Sequence, residues 1–152
     1  MSDFSAFEQI IEEMKLVYRH DQRPWMIGFS GGKDSTMLWT LVFEMLKTLK
    51  PSEIRKKIYI TSSDTMVENP IVRRYMHKMS KMIGEAGAKY GICTNIVKPH
   101  IMLDGPQKNG TFWTYVIGLG YPTPEPPGFR WCTDRLKIRP INQFTLDTIK
   151  EN

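Results

Sequence analysis

Ser30-Gly31-Gly32-Lys33-Asp34-Ser35 lies where an apolar run, Pro24 to Phe29, meets a stretch of helical periodicity, Thr36 to Leu49. Two glycines let the backbone turn sharply and approach a ligand with no Cβ in the way. The following helix directs its first unpaired N–H groups and its positive dipole end at the same spot. Ser30, Ser35 and Thr36 add hydroxyls, and Lys33 adds a mobile positive charge. The chemistry these residues suit is polyphosphate binding. Asp34 could hold Mg²⁺ directly or through water. The loop is not a Walker A motif, which needs Gly where Ile27 stands and Ser or Thr where Asp34 stands.

A second dense stretch runs from Phe129 to Pro140 and holds Arg130, Cys132, Arg135, Lys137 and Arg139. On a helix Arg135 and Arg139 would share a face and could grip phosphate oxygens. Pro140, however, disfavours helix at Arg139. Cys132 among cations would hold more thiolate, as a sulfur-handling nucleophile needs, and it reads equally well as a buried small hydrophobe. Cys93, beside a strand, is expected to be the more buried of the two thiols.

These residues need elements to position them. Phe4, Phe7, Ile11, Met14 and Tyr18 recur at helical spacing, with Ser5 and Glu8 as a capping-box pair. Arg23-Pro24 ends that helix, and Trp25 to Phe29 reads as a first, buried strand. The apolar stripe Leu38, Leu41, Val42, Met45, Leu46 and Leu49 follows the loop. Ile58 to Ser62 is a second strand, with Asp64 just past it. Asn69-Pro70 supplies an N-cap and a first-turn proline for a helix through Ala86. Gly84, Gly87 and Gly91 are expected to fray and close it before a third strand, Thr94 to Val97. Met37, Met45, Met76, Met79 and Met82 read as core filler. Residues 111–117 suit either a short helix or a strand. Gly118 to Gly128, with four prolines, reads equally as a semi-rigid lid or an ordinary surface loop.

Alternating strands and helices imply βαβ units and a parallel sheet, hence an α/β fold. Right-handed crossovers then put the strand ends bearing Ser30, Asp64 and Lys98 on one edge, where open α/β sheets bind ligands. The expected organisation is one domain over 1–152, with an N-terminal helix (1–20), a βαβαβ core (24–98), and a lid loop and cationic block (104–152). The net charge of +5 suits a phosphorylated or nucleic-acid substrate and equally a solvated basic surface. Two cysteines exclude a zinc ribbon or four-cysteine iron–sulfur site from this chain alone. No signal-peptide pattern or long apolar run is present, so a cytoplasmic location away from membranes is expected.

Residues 30–35 resemble the Ser-Gly-Gly-x-Asp-Ser signature of the PP-loop ATP pyrophosphatases, a Rossmann-like adenine nucleotide α-hydrolase fold. Cys132, Lys137 and Pro140 match the Cys-Cys-x-x-x-Lys-x-x-Pro stretch of the phosphoadenosine phosphosulfate (PAPS) reductase family, with Thr133 in place of the second cysteine. Asp64-Thr65 with Glu68 is similar to that family's Asp-Thr…Glu motif. Trp25 to Thr36, Ser62 to Pro70, Phe112-Trp113, Gly118 to Pro122 and Phe129 to Ile138 together resemble the DndC-type sulfurtransferases of DNA phosphorothioate modification. The resemblance implies cleavage of ATP to AMP and pyrophosphate with Mg²⁺. It implies nucleotide binding by Ser30, Gly31, Gly32, Lys33, Asp34, Ser35, Ser62 and Asp64. Catalysis would involve Lys33, Asp34 and Cys132, and Arg130, Arg135 and Lys137 would hold substrate phosphate. DNA and a cysteine desulfurase or another sulfur-transfer protein are the implied partners. PP-loop domains continue into further strands, so the fold is expected to be truncated here and completed by a homodimer or a partner chain. A PAPS-reductase-like enzyme and a catalytically incomplete nucleotide-binding module are the alternatives.

Overall fold

The computed structural model of the protein describes residues 4–98, 100–101, 108–124 and 130–151. In chain order, α1 (Phe4–His20), β1 (Trp25–Gly28), α2 (Lys33–Thr48), β2 (Ile58–Ser63), α3 (Pro70–Gly87) and β3 (Ile92–Val97) alternate as the sequence pattern requires. The three strands form a parallel sheet in the order β1-β2-β3, so the protein is α/β. A short antiparallel pair follows, β4 (His100–Ile101) with β5 (Lys108–Asn109), in which His100 faces Asn109. Two helical segments complete the described chain. The first contains a wide turn over Thr114–Gly118. The second runs from α4 (Trp131–Thr133) through a wide turn at Asp134–Ile138 into α5 (Arg139–Glu151).

The chain divides into two compact units. One comprises Met1–Ile60 with Lys78–Asn95, and the other Thr61–His77 with Ile96–Asn152.

The first unit has its core where the apolar faces of α1, α2 and α3 meet the sheet. Tyr18, Ile27, Val42, Met45, Leu46, Ile58, Ile60, Ile83 and Ile92 are buried there. Of the methionines expected as filler, Met45 and Met76 are buried and Met79 packs against the core. Met37 and Met82 are instead about half exposed. The end of α1 is tied to the approach to β2 by a buried ammonium. Lys56 Nζ donates to Asp21 Oδ1 at 2.7 Å and lies 5.2 Å from the Tyr18 ring centroid and 5.6 Å from that of Trp25. Lys56, with Arg23 beside it, holds the Asp21 carboxyl far below the usual carboxylate range. The capping-box serine, Ser5, has its side chain outside the described residues, and α1 begins one residue before it.

α3 begins as expected. Asn69 Oδ1 accepts the Ile71 N–H at 2.9 Å, and Pro70 takes the first helical position. The helix ends at Gly87, as expected, with Gly84 inside it, and Gly91, at φ +73°, closes the short 3₁₀ turn Ala88–Tyr90 that follows. Gly84 and Gly87 also serve packing. A Cβ at Gly84 would meet Thr94 Oγ1 at 2.8 Å, and one at Gly87 would meet Ile92 Cβ at 2.7 Å. Glycine at both positions lets β3 approach the helix backbone.

The second unit is built on aromatics. Tyr115, Trp131 and Leu136 are buried, with Phe112, Val116, Tyr121 and Cys132 packed against them. Phe112 stacks on Trp131 at 5.5 Å between centroids, and Trp131 Nε1 donates to the Pro122 carbonyl at 2.7 Å, pinning the start of the proline-rich loop. Residues 125–129 of that loop lie outside the described residues. Residues 112–118 are helical, which resolves the choice left open by their sequence.

Helix also continues through Arg139 (φ −61°, ψ −46°) into Pro140, against the sequence expectation. Proline has no N–H for the carbonyl four residues back, that of Leu136. Ser63 Oγ donates to that carbonyl at 2.9 Å and replaces the missing bond. The preceding turn is widened, with Arg139 N–H reaching the Asp134 carbonyl five residues back.

Candidate functional site

In the first unit, residues 30–35 form a strand-to-helix turn closed by its own hydroxyls. Gly31 has φ +77°, a conformation that favours glycine. Ser35 Oγ donates to the Gly32 carbonyl at 3.0 Å and lies 3.1 Å from Ser30 Oγ, and it accepts the Ser30 N–H at 3.3 Å. Thr36 Oγ1 also donates to the Gly32 carbonyl, at 2.9 Å. The first helical bond runs from Thr36 N–H to Gly32 O at 3.0 Å. The N–H groups of Lys33, Asp34 and Ser35 therefore precede the helical ladder, aligned with the dipole. Gly32 caps the helix with no side-chain bond, and a Cβ there would meet only Ser30 Oγ, at 3.4 Å. Lys33 and Asp34 are exposed and have no ion-pair partner among the described residues. This turn has what an anion needs: a row of free donors, a positive dipole end, a mobile ammonium and an open approach.

Asp34 is free to share a cation with phosphate oxygens, the usual way Mg²⁺ is held. No group of three or more His, Cys, Asp or Glu poised to hold a metal occurs among the described residues.

In the second unit, the segment after β2 is tightly held. Asp64 is fully buried, and its N–H donates to the Val97 carbonyl at 3.0 Å. Its Oδ1 accepts the Met66 N–H at 3.0 Å, which braces Met66 at φ +64°. That conformation costs a non-glycine residue roughly 1–2 kcal/mol. Oδ2 accepts from Arg73 Nε at 2.9 Å and from His77 Nε2 at 3.3 Å. Burial pushes the Asp64 carboxyl up, but the bonds from Arg73, His77 and Met66 outweigh it and hold the group below its ordinary range. Thr65 Oγ1 donates to Glu68 Oε1. Two buried atoms here, Ser62 Oγ and Glu68 Oε2, have no hydrogen-bond partner among the described residues. Buried polar atoms are normally paired, so these two mark places where a ligand could complete the bonding.

The cationic block places Cys132 half-buried against the aromatic cluster. Arg139 Nε donates to Asp134 Oδ2 at 2.7 Å, and Arg135 Nε lies 3.8 Å from the same oxygen. Arg130 and Lys137 are exposed, without a partner among the described residues. Cys93 is exposed, contrary to expectation, because β3 is an edge strand and residue 93 points away from the core.

Sequence reasoning brought Ser30 to Ser35, Ser62 and Asp64 forward but passed over Arg73 and His77. Their i, i+4 spacing on a helix nine residues after a buried-strand aspartate was the available signal.

No family model matches the chain, and no solved structure matches it. An uncharacterized protein of the archaeon Methanocaldococcus jannaschii is 27% identical over 139 residues, which cover 91% of this chain and 23% of that protein. The chain thus spans about a quarter of that relative's length.

Proposed function

We propose that the protein is an ATP-binding enzyme of the PP-loop type that cleaves ATP to AMP and pyrophosphate and serves sulfur transfer, with the DNA backbone as acceptor. The observation that carries this reading is the turn at residues 30–35, with free N–H groups of Lys33, Asp34 and Ser35 at the start of a sixteen-residue helix. Those donors and Lys33 hold the departing pyrophosphate and stabilise the charge that develops on it. Asp34 would hold Mg²⁺, and that ion, when bound, would neutralise part of the phosphate charge. Asp64, with both oxygens engaged, contributes by fixing the segment that follows β2. Arg130, Arg135 and Lys137 face the acceptor's phosphate, and Cys132 carries the sulfur.

Isothermal titration with ATP·Mg²⁺ tests the site directly. Wild-type protein is expected to bind, and Gly32→Val, whose Cβ would meet only the rotatable Ser30 hydroxyl, is expected to fold and lose binding. Nucleotide products resolved by chromatography are expected to be AMP and pyrophosphate. An ADP peak, or equal ATP affinity in a folded Gly32→Val, overturns the assignment. Binding of PAPS in preference to ATP would favour a reductase-type enzyme.

A further inference from the structure

Arg73 and His77 stand one turn apart on α3 and converge on a single oxygen of a buried carboxylate. That arrangement leaves each with an unused edge. Arg73 donates through Nε, so its paired Nη groups carry no partner among the described residues, and the side chain is 39% exposed. His77 is 43% exposed and uses only Nε2. Asp64 has no hydrogen to give while ionised, so the hydrogen between it and His77 belongs to Nε2. In the neutral ring Nδ1 then carries the lone pair and accepts. Side by side on one helix face lie a forked cationic donor and, when the ring is neutral, an imidazole acceptor, both held by Asp64.

We propose that Arg73 and His77 form a subsite for a phosphate group that still bears a proton, with Asp64 as the positioning residue. The guanidinium Nη groups donate to two phosphate oxygens, and His77 Nδ1 accepts the P–O–H. The subsite therefore selects hydrogen phosphate, or a monoester in its singly protonated form, over sulfate, which has the same shape but no hydrogen to donate. A lone ion pair holding the helix would need only one cation and would not discriminate between the two anions. The inference rests on the second unit alone and does not require that residues 30–35 bind ATP.

The test uses protein with ¹⁵N-labelled histidine at about pH 8, above the ordinary imidazole pKa of about 6.5. Long-range ¹H–¹⁵N spectra are recorded during titration with inorganic phosphate and, separately, with sulfate. The expected result is an Nε2–H tautomer for His77 and a saturable phosphate-dependent shift of its Nδ1, with sulfate at least tenfold weaker, an order set by one charge-assisted bond. The same titration in Gly32→Val is expected to be unchanged, which separates this subsite from the loop. His77→Leu should abolish the preference for phosphate over sulfate. His77→Gln, whose amide can donate to Asp64 and accept outward, should retain it. Arg73→Lys should weaken phosphate about tenfold, because the fork is lost. No shift of His77 up to about 50 mM phosphate, beyond millimolar affinity, overturns the proposal. So does an equal response to sulfate, or loss of the shift in a folded Gly32→Val.

Discussion

Asp64 collects three donors at one buried carboxylate, from Met66, Arg73 and His77. Its folded pKa is held down, so its contribution to stability is complete above the unfolded value of about 3.9 and is lost as pH falls through the folded value. The melting temperature of wild type is expected to exceed that of Asp64→Asn at neutral pH, and the gap is expected to shrink below about pH 4. Parallel pH profiles for the two proteins would show that Asp64 is not the carboxylate that matters. The thiols give a second contrast at this scale. Exposure alone favours alkylation of Cys93 over the half-buried Cys132. With Cys132 as the sulfur carrier, brief iodoacetamide treatment at neutral pH should label it ahead of Cys93 despite its lower exposure. On separate, unalkylated protein a cysteine desulfurase supplied with cysteine should load a persulfide on Cys132, read as a mass increase on its peptide. Slow labelling of Cys132 and no persulfide would leave it a packing residue.

At the scale of elements, the contact between α3 and β3 depends on two missing side chains. Alanine is a better helix former than glycine by about 1 kcal/mol, so propensity alone would make Gly84→Ala and Gly87→Ala stabilising. Packing reverses the sign at Gly87, where the new methyl meets Ile92 Cβ at 2.7 Å, an atom fixed close to the strand backbone. Gly87→Ala is expected to lose about 1–3 kcal/mol in a denaturant titration. Gly84→Ala should lose less, since its nearest neighbour is the rotatable hydroxyl of Thr94. A stabilised Gly87→Ala would show that the helix and strand shift apart freely. The same region shows why the elements were legible and their joints were not. Apolar spacing of 3.6 and 2 placed α1 to α3 and β1 to β3, and Asn69-Pro70 marked the start of α3 to the residue. Those are local signals. Gly84 is explained by Thr94, helix at Arg139 by the bond from Ser63 to the Leu136 carbonyl, and the exposure of Cys93 by the strand order. Each depends on a residue distant in sequence. The turn at 30–35 was legible because its chemistry is contiguous, and Arg73 and His77 were not, because their role appears only once Asp64 is seen between them.

On the scale of the whole molecule, a sheet of three strands has two edges, β1 and β3, and neither meets a further strand among the described residues. Open strand edges present unpaired N–H and C=O groups, which proteins usually cover. Large apolar side chains are also exposed in each unit: Leu16 and Val17 on α1 in the first, and Leu146 and Ile149 on α5 in the second. Among the described residues no helix is long and apolar enough to cross a membrane. A partner that adds a strand, either a second copy or another polypeptide, would satisfy the open backbone groups. Its contacts would be backbone hydrogen bonds and apolar packing rather than attraction to the net positive charge. Association of this kind should survive added salt, whereas contacts between exposed charges are screened beyond roughly 8 Å at physiological ionic strength. Sedimentation velocity over a range of concentrations is therefore expected to show a dimer that dissociates on dilution and changes little between low and high salt. A monomer at every concentration with a cooperative melt would show that the two edges are tolerated as they stand. Dissociation by salt alone would move the interface to the charged faces.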